Sequence, residues 1–158
     1  MKVKKSILLA MLLLVPLSVF AVDFSKVPLP YDLNIVPPDS SLPEDIKALS
    51  GKRGGEWLTA ASKPTGQYAV LVVEKILNEK TAVIVYGVSE SPNSKGGFWR
   101  TEAEIVSVDK KVMLEWMSKV TTRKLSFRLK GDKLECETTI HYPRWGEQKN
   151  YITMSRIQ

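Results

Sequence analysis

Residues that could support acid–base, nucleophilic or metal chemistry are scarce in this chain of 158 residues. It contains one histidine, His141, and one cysteine, Cys136. A Ser-His-Asp triad would have to use His141, but this residue ends a strand-like segment on its outward parity, which predicts an exposed structural histidine. One histidine and one cysteine do not make a zinc site, so we expect neither a metal nor a cofactor. Cys136 is predicted to be a buried thiol, with intermolecular pairing or redox chemistry as the alternatives.

Two further patterns could indicate an enzyme. Paired carboxylates can hydrolyse glycosides, but every candidate lies on the predicted solvent side of its strand. The Ser94–Gly97 segment contains glycines, yet it lacks the strand-to-helix context of a phosphate-binding loop. We therefore expect no enzymatic activity. The candidate carboxylates are Glu102, Glu104, Glu115, Glu135 and Glu137.

Aromatic residues point to binding instead. Several of them, together with a few threonines, share the predicted inward parity of their strands. An eight-stranded barrel is either packed solid or holds one small ligand, and apolar walls with a few polar groups are typical of ligand pockets. The two alternatives stay open at this point. The predicted lining residues are Tyr68, Tyr86, Trp99, Thr101, Trp116, Phe127 and Thr138.

The first 21 residues predict a secretory signal peptide. Three lysines within residues 2–5 precede an apolar run from Ile7 to Phe20, and the small residue Ala21 marks the cleavage site. The run has 14 residues, which is short for a membrane anchor, since a span needs about 20. We expect an exported protein, periplasmic or secreted, with no membrane span after signal cleavage.

The charge balance argues against nucleic-acid binding. The whole chain carries 23 basic and 17 acidic residues, a net charge of +6. Three of the lysines belong to the predicted signal, so residues 22–158 have a net charge of +3. This weak excess, without a dense basic cluster, does not indicate a nucleic-acid partner.

The segment after the signal is rich in proline. Five prolines lie within residues 22–43, and proline fixes φ and removes a hydrogen-bond donor, so an extended segment is expected. It is either a flexible leader or a strap across the domain. A short helix is predicted to start near Ser41 and to end by Ser50–Gly51. The domains are therefore a signal peptide (1–21), a Pro-rich leader (22–41) and a β domain (42–158).

From Gly55 onward the pattern changes to short, evenly spaced strands. They are rich in β-branched and aromatic residues, and no long helical segment separates them, which predicts an antiparallel barrel or sandwich. The loops Asp109–Lys110 and Gly131–Asp132 each predict a two-residue hairpin with one register, placing Ile105 opposite Leu114 and Leu129 opposite Leu134. The predicted strands are 55–61, 67–77, 80–88, 97–108, 111–117, 122–130, 133–141 and 148–157.

A segment resembling a helix start, Leu42–Gly51, leads into Gly55-Glu56-Trp57, and strand-like segments such as Gly97–Arg100 and Leu125–Leu129 follow. This pattern resembles the lipocalin-like (calycin-like) β-barrel domains of uncharacterised bacterial exported proteins, over residues 42–158.

The resemblance implies an all-β fold, an eight-stranded antiparallel barrel with a short N-terminal helix. It also implies that Trp57 packs across the closed end of the barrel with Arg156 over its ring, although Arg156 as a solvated terminal charge is the alternative. The chain departs from the family pattern at Arg53, where an aromatic residue is usual.

Two functions fit these features. The first is an exported, non-enzymatic β-barrel that binds a small apolar or amphipathic ligand. The second is an envelope protein–protein interaction module, an inhibitor or accessory factor, that uses a basic hairpin. The residues of that hairpin are Lys124, Arg128 and Lys130.

Overall fold

The computed structural model of this protein describes residues 23–92, 94–118, 123–142 and 146–158; the predicted signal peptide lies outside them. A 3-10 turn at Phe24–Lys26 and one short helix, α1, precede eight strands. The elements are α1 (Glu44–Lys47), β1 (Gly51–Thr59), β2 (Pro64–Asn78), β3 (Thr81–Val88), β4 (Gly97–Val108), β5 (Lys111–Met117), β6 (Lys124–Lys130), β7 (Lys133–Tyr142) and β8 (Gly146–Arg156).

The eight strands form one closed antiparallel barrel in sequence order, as predicted. Closure comes from β1 pairing with β8, where Arg53 is opposite Arg156 and Thr59 is opposite Asn150. Closure pairs both edges of the sheet and so removes the exposed edge strands that would invite aggregation.

The registers of both predicted hairpins are confirmed. Ile105 pairs with Leu114, and Leu129 pairs with Leu134. Asp109 and Lys110 have φ angles of 51° and 61°, which is the backbone that a two-residue hairpin of the primed type requires. The alternation of inward and outward side chains is therefore set by the turns as well as by burial.

The two ends of the barrel differ. Strands β1, β3, β5 and β7 stop at one end of the barrel, which we call the open end. Connections that follow β2, β4 and β6 lie at the other, the closed end, where α1 leads into β1. Helix α1 is a single turn with Pro43 at its N-cap, and its Ile46, like Leu49 just after it, is buried in the barrel core.

Residues 23–36 form a strap on the outside of the barrel. Val27 is buried against the outer side chains of Val70, Val72 and Val85, which explains why β2 and β3 are apolar on both faces. Gly87 makes room for the strap, because a Cβ atom there would lie 2.6 Å from the carbonyl oxygen of Pro28. The Pro-rich leader is therefore a strap over these residues rather than a free tail.

A charged cluster fastens the strap. The Arg100 guanidinium donates to both carboxylate oxygens of Asp32, at 3.0 and 3.1 Å, and to both of Glu74, at 2.8 and 3.1 Å. The backbone N–H of Val36 also donates to the Glu74 carbonyl oxygen at 2.7 Å. Bidentate pairs of this kind combine charge with fixed geometry. No helix in the described part of the chain is long and apolar enough to span a membrane.

Candidate ligand-binding site

A cavity of about 410 Å³ opens at the open end of the barrel. Its volume falls within the range of about 300–1,000 Å³ that is usual for small-molecule sites. Side chains from β1, β2, β3, β6, β7 and β8 line it, together with residues of the β3–β4 connection. A site lined by six strands of a closed barrel is held by their hydrogen-bonded framework.

Trp57 and Tyr86 form the floor of the cavity. The indole Nε1–H of Trp57 donates to the Tyr86 hydroxyl oxygen at 3.1 Å, and both residues are buried. Burial raises the pKa of Tyr86 above its ordinary value, so the phenol stays neutral and keeps its own O–H for donation. The floor is therefore aromatic with a polar handle.

The interior next to the floor is packed. Trp116 and Phe127 stack with their ring centroids 5.2 Å apart and their planes 9° apart, and the Tyr86 ring lies 5.4 Å from that of Trp116. Phe127 is fully buried. The two alternatives for the barrel interior thus both occur, a solid middle and a hollow open end.

The rim is polar but almost uncharged. Arg123 is the one charged side chain that lines the cavity in the described part of the chain. Its guanidinium donates to the backbone carbonyl oxygen of Thr139. The neutral polar lining residues include Thr65, Gln67, Ser91, Ser94, Thr138, Gln148 and Asn150.

The predicted lining residues divide into three groups. Tyr86 and Thr138 line the cavity. Trp116 and Phe127 lie in the packed core, and Trp99 packs against that core half-buried, while Thr101 is half-buried on β4 outside the cavity lining. Neither Trp99 nor Thr101 lines the cavity.

Tyr68 requires a correction, because it lies on the outer face of the barrel. Its ring contacts Phe24 of the strap edge to face, with the centroids 6.2 Å apart, and it belongs to the outer apolar cluster. β2 is apolar on both faces, so alternation could not say which face carries Tyr68. Only the strap, which covers the outer face, explains an outward aromatic residue there.

The closed end is sealed by Arg53 rather than by Trp57 and Arg156. Arg53 is fully buried, and it donates to the carbonyl oxygens of Leu49, at 2.7 Å, and Asp132, at 3.0 Å, as well as to that of Ala48. Trp57 lies four residues further along β1, roughly 13 Å towards the open end, at the cavity floor.

Arg156 therefore does not cover the indole. Its guanidinium donates to the carbonyl oxygens of Ala48 and Ser50, each at 3.0 Å. It is neither a cover for Trp57 nor a freely solvated charge. Burial lowers the pKa of Arg53 to about 10, which leaves that side chain charged at neutral pH beside Arg156. In the sequence, the indication that Arg53 lies inside the barrel was its inward parity, which it shares with Trp57.

The three cations of the basic hairpin all have acidic partners. Lys124 pairs with Glu115, and both Arg128 and Lys130 pair with Glu135, at 3.2 and 3.3 Å. Hydrogen bonding from Lys124 holds the pKa of Glu115 below its ordinary value. The positive charge of this surface is thus largely balanced within the sheet.

Of the candidate carboxylates, Glu104 and Glu115 are cross-strand neighbours on β4 and β5, and Lys124 pairs with Glu115. His141 is exposed at the end of β7, and burial raises the pKa of the Cys136 thiol to about 11, so it is not a nucleophile at neutral pH. Within the described ranges, no three His, Cys, Asp or Glu side chains are grouped to hold a metal ion. What the arrangement offers chemically is an apolar floor, polar walls and one cation.

Comparisons with protein-family models, with curated proteins and with solved structures find no match for this chain. The fold and the cavity therefore carry the assignment of function.

Proposed function

We propose that this protein is an exported, lipocalin-like β-barrel that binds a small amphipathic ligand in its open-end cavity. The observation that carries the proposal is the hollow of about 410 Å³ above the hydrogen-bonded pair of Trp57 and Tyr86. Binding without a chemical step suits a lining that has an aromatic floor and mostly neutral polar walls.

The ligand's apolar part fits against the apolar side chains of the lining. Val88, Leu125 and Ile140 join the two aromatic residues there. A cavity of this size has the volume of about 14 water molecules at roughly 30 Å³ each. Burying about 200 Å² of apolar ligand surface is worth roughly 5 kcal/mol, before the cost of association. For a ligand that binds with micromolar affinity, polar contacts at the rim must supply the remaining binding free energy.

Export is supported by the sequence of residues 1–21. Basic, apolar and small residues follow one another there in the order of a cleavable signal. Intact mass measurement of the protein from a cell that secretes it should give a chain that begins at Val22. A full-length mass in the cell interior would contradict export.

Docking through the basic hairpin is less well supported as the alternative function. A partner would have to compete with Glu115 and Glu135 for Lys124, Arg128 and Lys130. Exposed ion pairs are individually weak, about 0–1 kcal/mol, so competition is possible, but little net charge is left to attract a partner.

A neutral fluorescent probe, N-phenyl-1-naphthylamine, tests the proposed cavity. We expect its emission to rise on addition of the protein and the rise to be lost in Thr138→Trp, because an indole at Thr138 fills the hollow. Thr139→Trp is the matched control: Thr139 is the next residue along β7, exposed on the outer side, and its variant should bind the probe like the wild type.

Circular dichroism and thermal unfolding of both tryptophan variants identify any misfolded protein before the binding comparison. Equal probe binding by folded Thr138→Trp and wild type would place the probe elsewhere on the protein. That result, or no emission change with the wild type, would contradict the proposed function.

A further inference from the structure

The cavity has an unbalanced charge. Arg123 lines it, and no aspartate or glutamate does, in the described part of the chain. Tyr86 at the floor is neutral, as its raised pKa shows. A ligand that enters therefore meets one positive charge at the rim and no negative one.

Arg123 also differs from the other described arginines of the barrel. Arg100 and Arg128 pair with carboxylates, while Arg53 and Arg156 each donate to two or more backbone carbonyl oxygens. Arg123 makes no ion pair with any described residue, and its one described donation is to the Thr139 carbonyl oxygen. A guanidinium group has five N–H donors in a fixed fork, so this contact orients the group and leaves donors for a ligand.

The connections at the two ends differ in charge, although Arg53 and Arg156 add two cations at the closed end. Among described residues, the connections at the open end carry three basic residues and one acidic residue, whereas those at the closed end, counted with α1, carry five acidic and three basic residues. The open-end residues are Lys63, Lys95 and Arg123 against Glu90; the closed-end residues are Glu44, Asp45, Glu79, Asp109 and Asp132 against Lys47, Lys80 and Lys110.

We propose that the natural ligand is an anionic amphiphile, with a carboxylate or a similar acidic headgroup paired to Arg123 at the rim. The inference rests on the proposed function and adds the charge and the orientation of the ligand. Planar guanidinium groups bind carboxylates with two parallel hydrogen bonds.

The spacing suits a short chain. Arg123 lies two residues before Leu125, about 7 Å nearer the mouth along the strand direction. Leu125 pairs with Trp116, whose ring contacts Tyr86 at the floor. Decanoate has 12 non-hydrogen atoms, fewer than the roughly 14 waters that the cavity volume corresponds to, and it is a suitable probe.

Isothermal titration of the protein, purified after expression of the full chain, with decanoate, decan-1-ol and decylamine tests the charge. We expect decanoate to bind about tenfold more tightly than decan-1-ol, the effect of one charge-assisted hydrogen-bonded pair that is partly exposed. Decylamine should bind more weakly than either. In Arg123→Gln the advantage of decanoate over decan-1-ol should vanish.

Lys124→Gln is the matched control, because this neighbouring cation already pairs with Glu115; it should keep the tenfold preference. Equal affinities for the acid and the alcohol, tighter binding of the amine, or a preference that survives in folded Arg123→Gln would overturn the inference while leaving the proposed function intact. If none of the three compounds binds, both the inference and the proposed function fail.

Discussion

Replacement of Arg53 by methionine is the sharpest perturbation of the fold. Arg53 is fully buried at the closed end, where its guanidinium joins the α1–β1 junction to the β6–β7 turn through carbonyl oxygens of Leu49 and Asp132. Methionine has a similar length and fills the space, so the change removes the donors and the charge with little loss of volume.

The expected loss of stability comes from carbonyl groups that lose their hydrogen-bond donor. Those of Leu49 and Asp132 lose the side-chain donor, whereas Ala48 keeps a donor from Arg156. A buried acceptor without a partner costs about 1–3 kcal/mol, which gives about 3 kcal/mol for one buried and one partly buried group. Relief from burying a charge offsets part of this, so we expect the free energy of unfolding to fall by about 2–3 kcal/mol.

Urea unfolding followed by tryptophan emission measures this change. Arg156→Met is the control, because its contacts are exposed and Ala48 then keeps its donor from Arg53; we expect a loss below about 1 kcal/mol. Arg53→Lys should lie between the two. An Arg53→Met protein within about 0.5 kcal/mol of the wild type, or a larger loss for Arg156→Met, would refute Arg53 as the closing residue.

Two further substitutions test the strap, and the reactivity of the Cys136 thiol tests the core. Arg100→Met should release the strap and make residues 23–36 the first site of limited proteolysis, while far-ultraviolet circular dichroism stays unchanged. Cleavage rates equal to those of the wild type would contradict the role of Arg100 in holding the strap. The pKa of Asp32 is lowered by its hydrogen bonds to Arg100, so this contact stabilises the fold above the ordinary carboxyl pKa of about 4 and is lost as the pH falls through the lowered value. Strap proteolysis should therefore rise in acid in the wild type and depend less on pH in Asp32→Asn. Because burial raises the pKa of Cys136 to about 11, its thiol should react with Ellman's reagent only in denaturant; rapid reaction of the native protein would place it at the surface.

The barrel and its registers could be predicted because several local signals agree. At Asp109–Lys110, turn chemistry and alternation on both flanking strands give one register, and the structure has it. The same agreement holds for Leu129 opposite Leu134. A two-residue periodicity strongly constrains strand register wherever one face of the sheet is buried and the other is exposed to solvent.

The face of β2 could not be predicted, because both of its faces are covered. The strap buries Val70 and Val72 outside, while Leu71 and Val73 lie inside, so alternation carries no information and Tyr68 could be placed on either side. Knowing that Gly87 accommodates the strap backbone requires the fold itself.

The position of the cavity could not be predicted from the sequence pattern either. Trp116 and Phe127 share the inward parity of Thr138, yet the first two fill the middle of the barrel and only Thr138 reaches the hollow. Parity tells inside from outside but not height along the barrel axis. Arg53 and Trp57 show the same limit, since both point inward but serve opposite ends.

A crystal structure with 10-bromodecanoate, read by the anomalous scattering of bromine, tests the central claim most directly. We predict one bromine peak at the floor of the cavity, in contact with Trp57 and Tyr86, with the carboxylate within hydrogen-bonding distance of Arg123. A bromine peak on the outer face of the barrel, or a carboxylate at the floor with the bromine at the mouth, would contradict it.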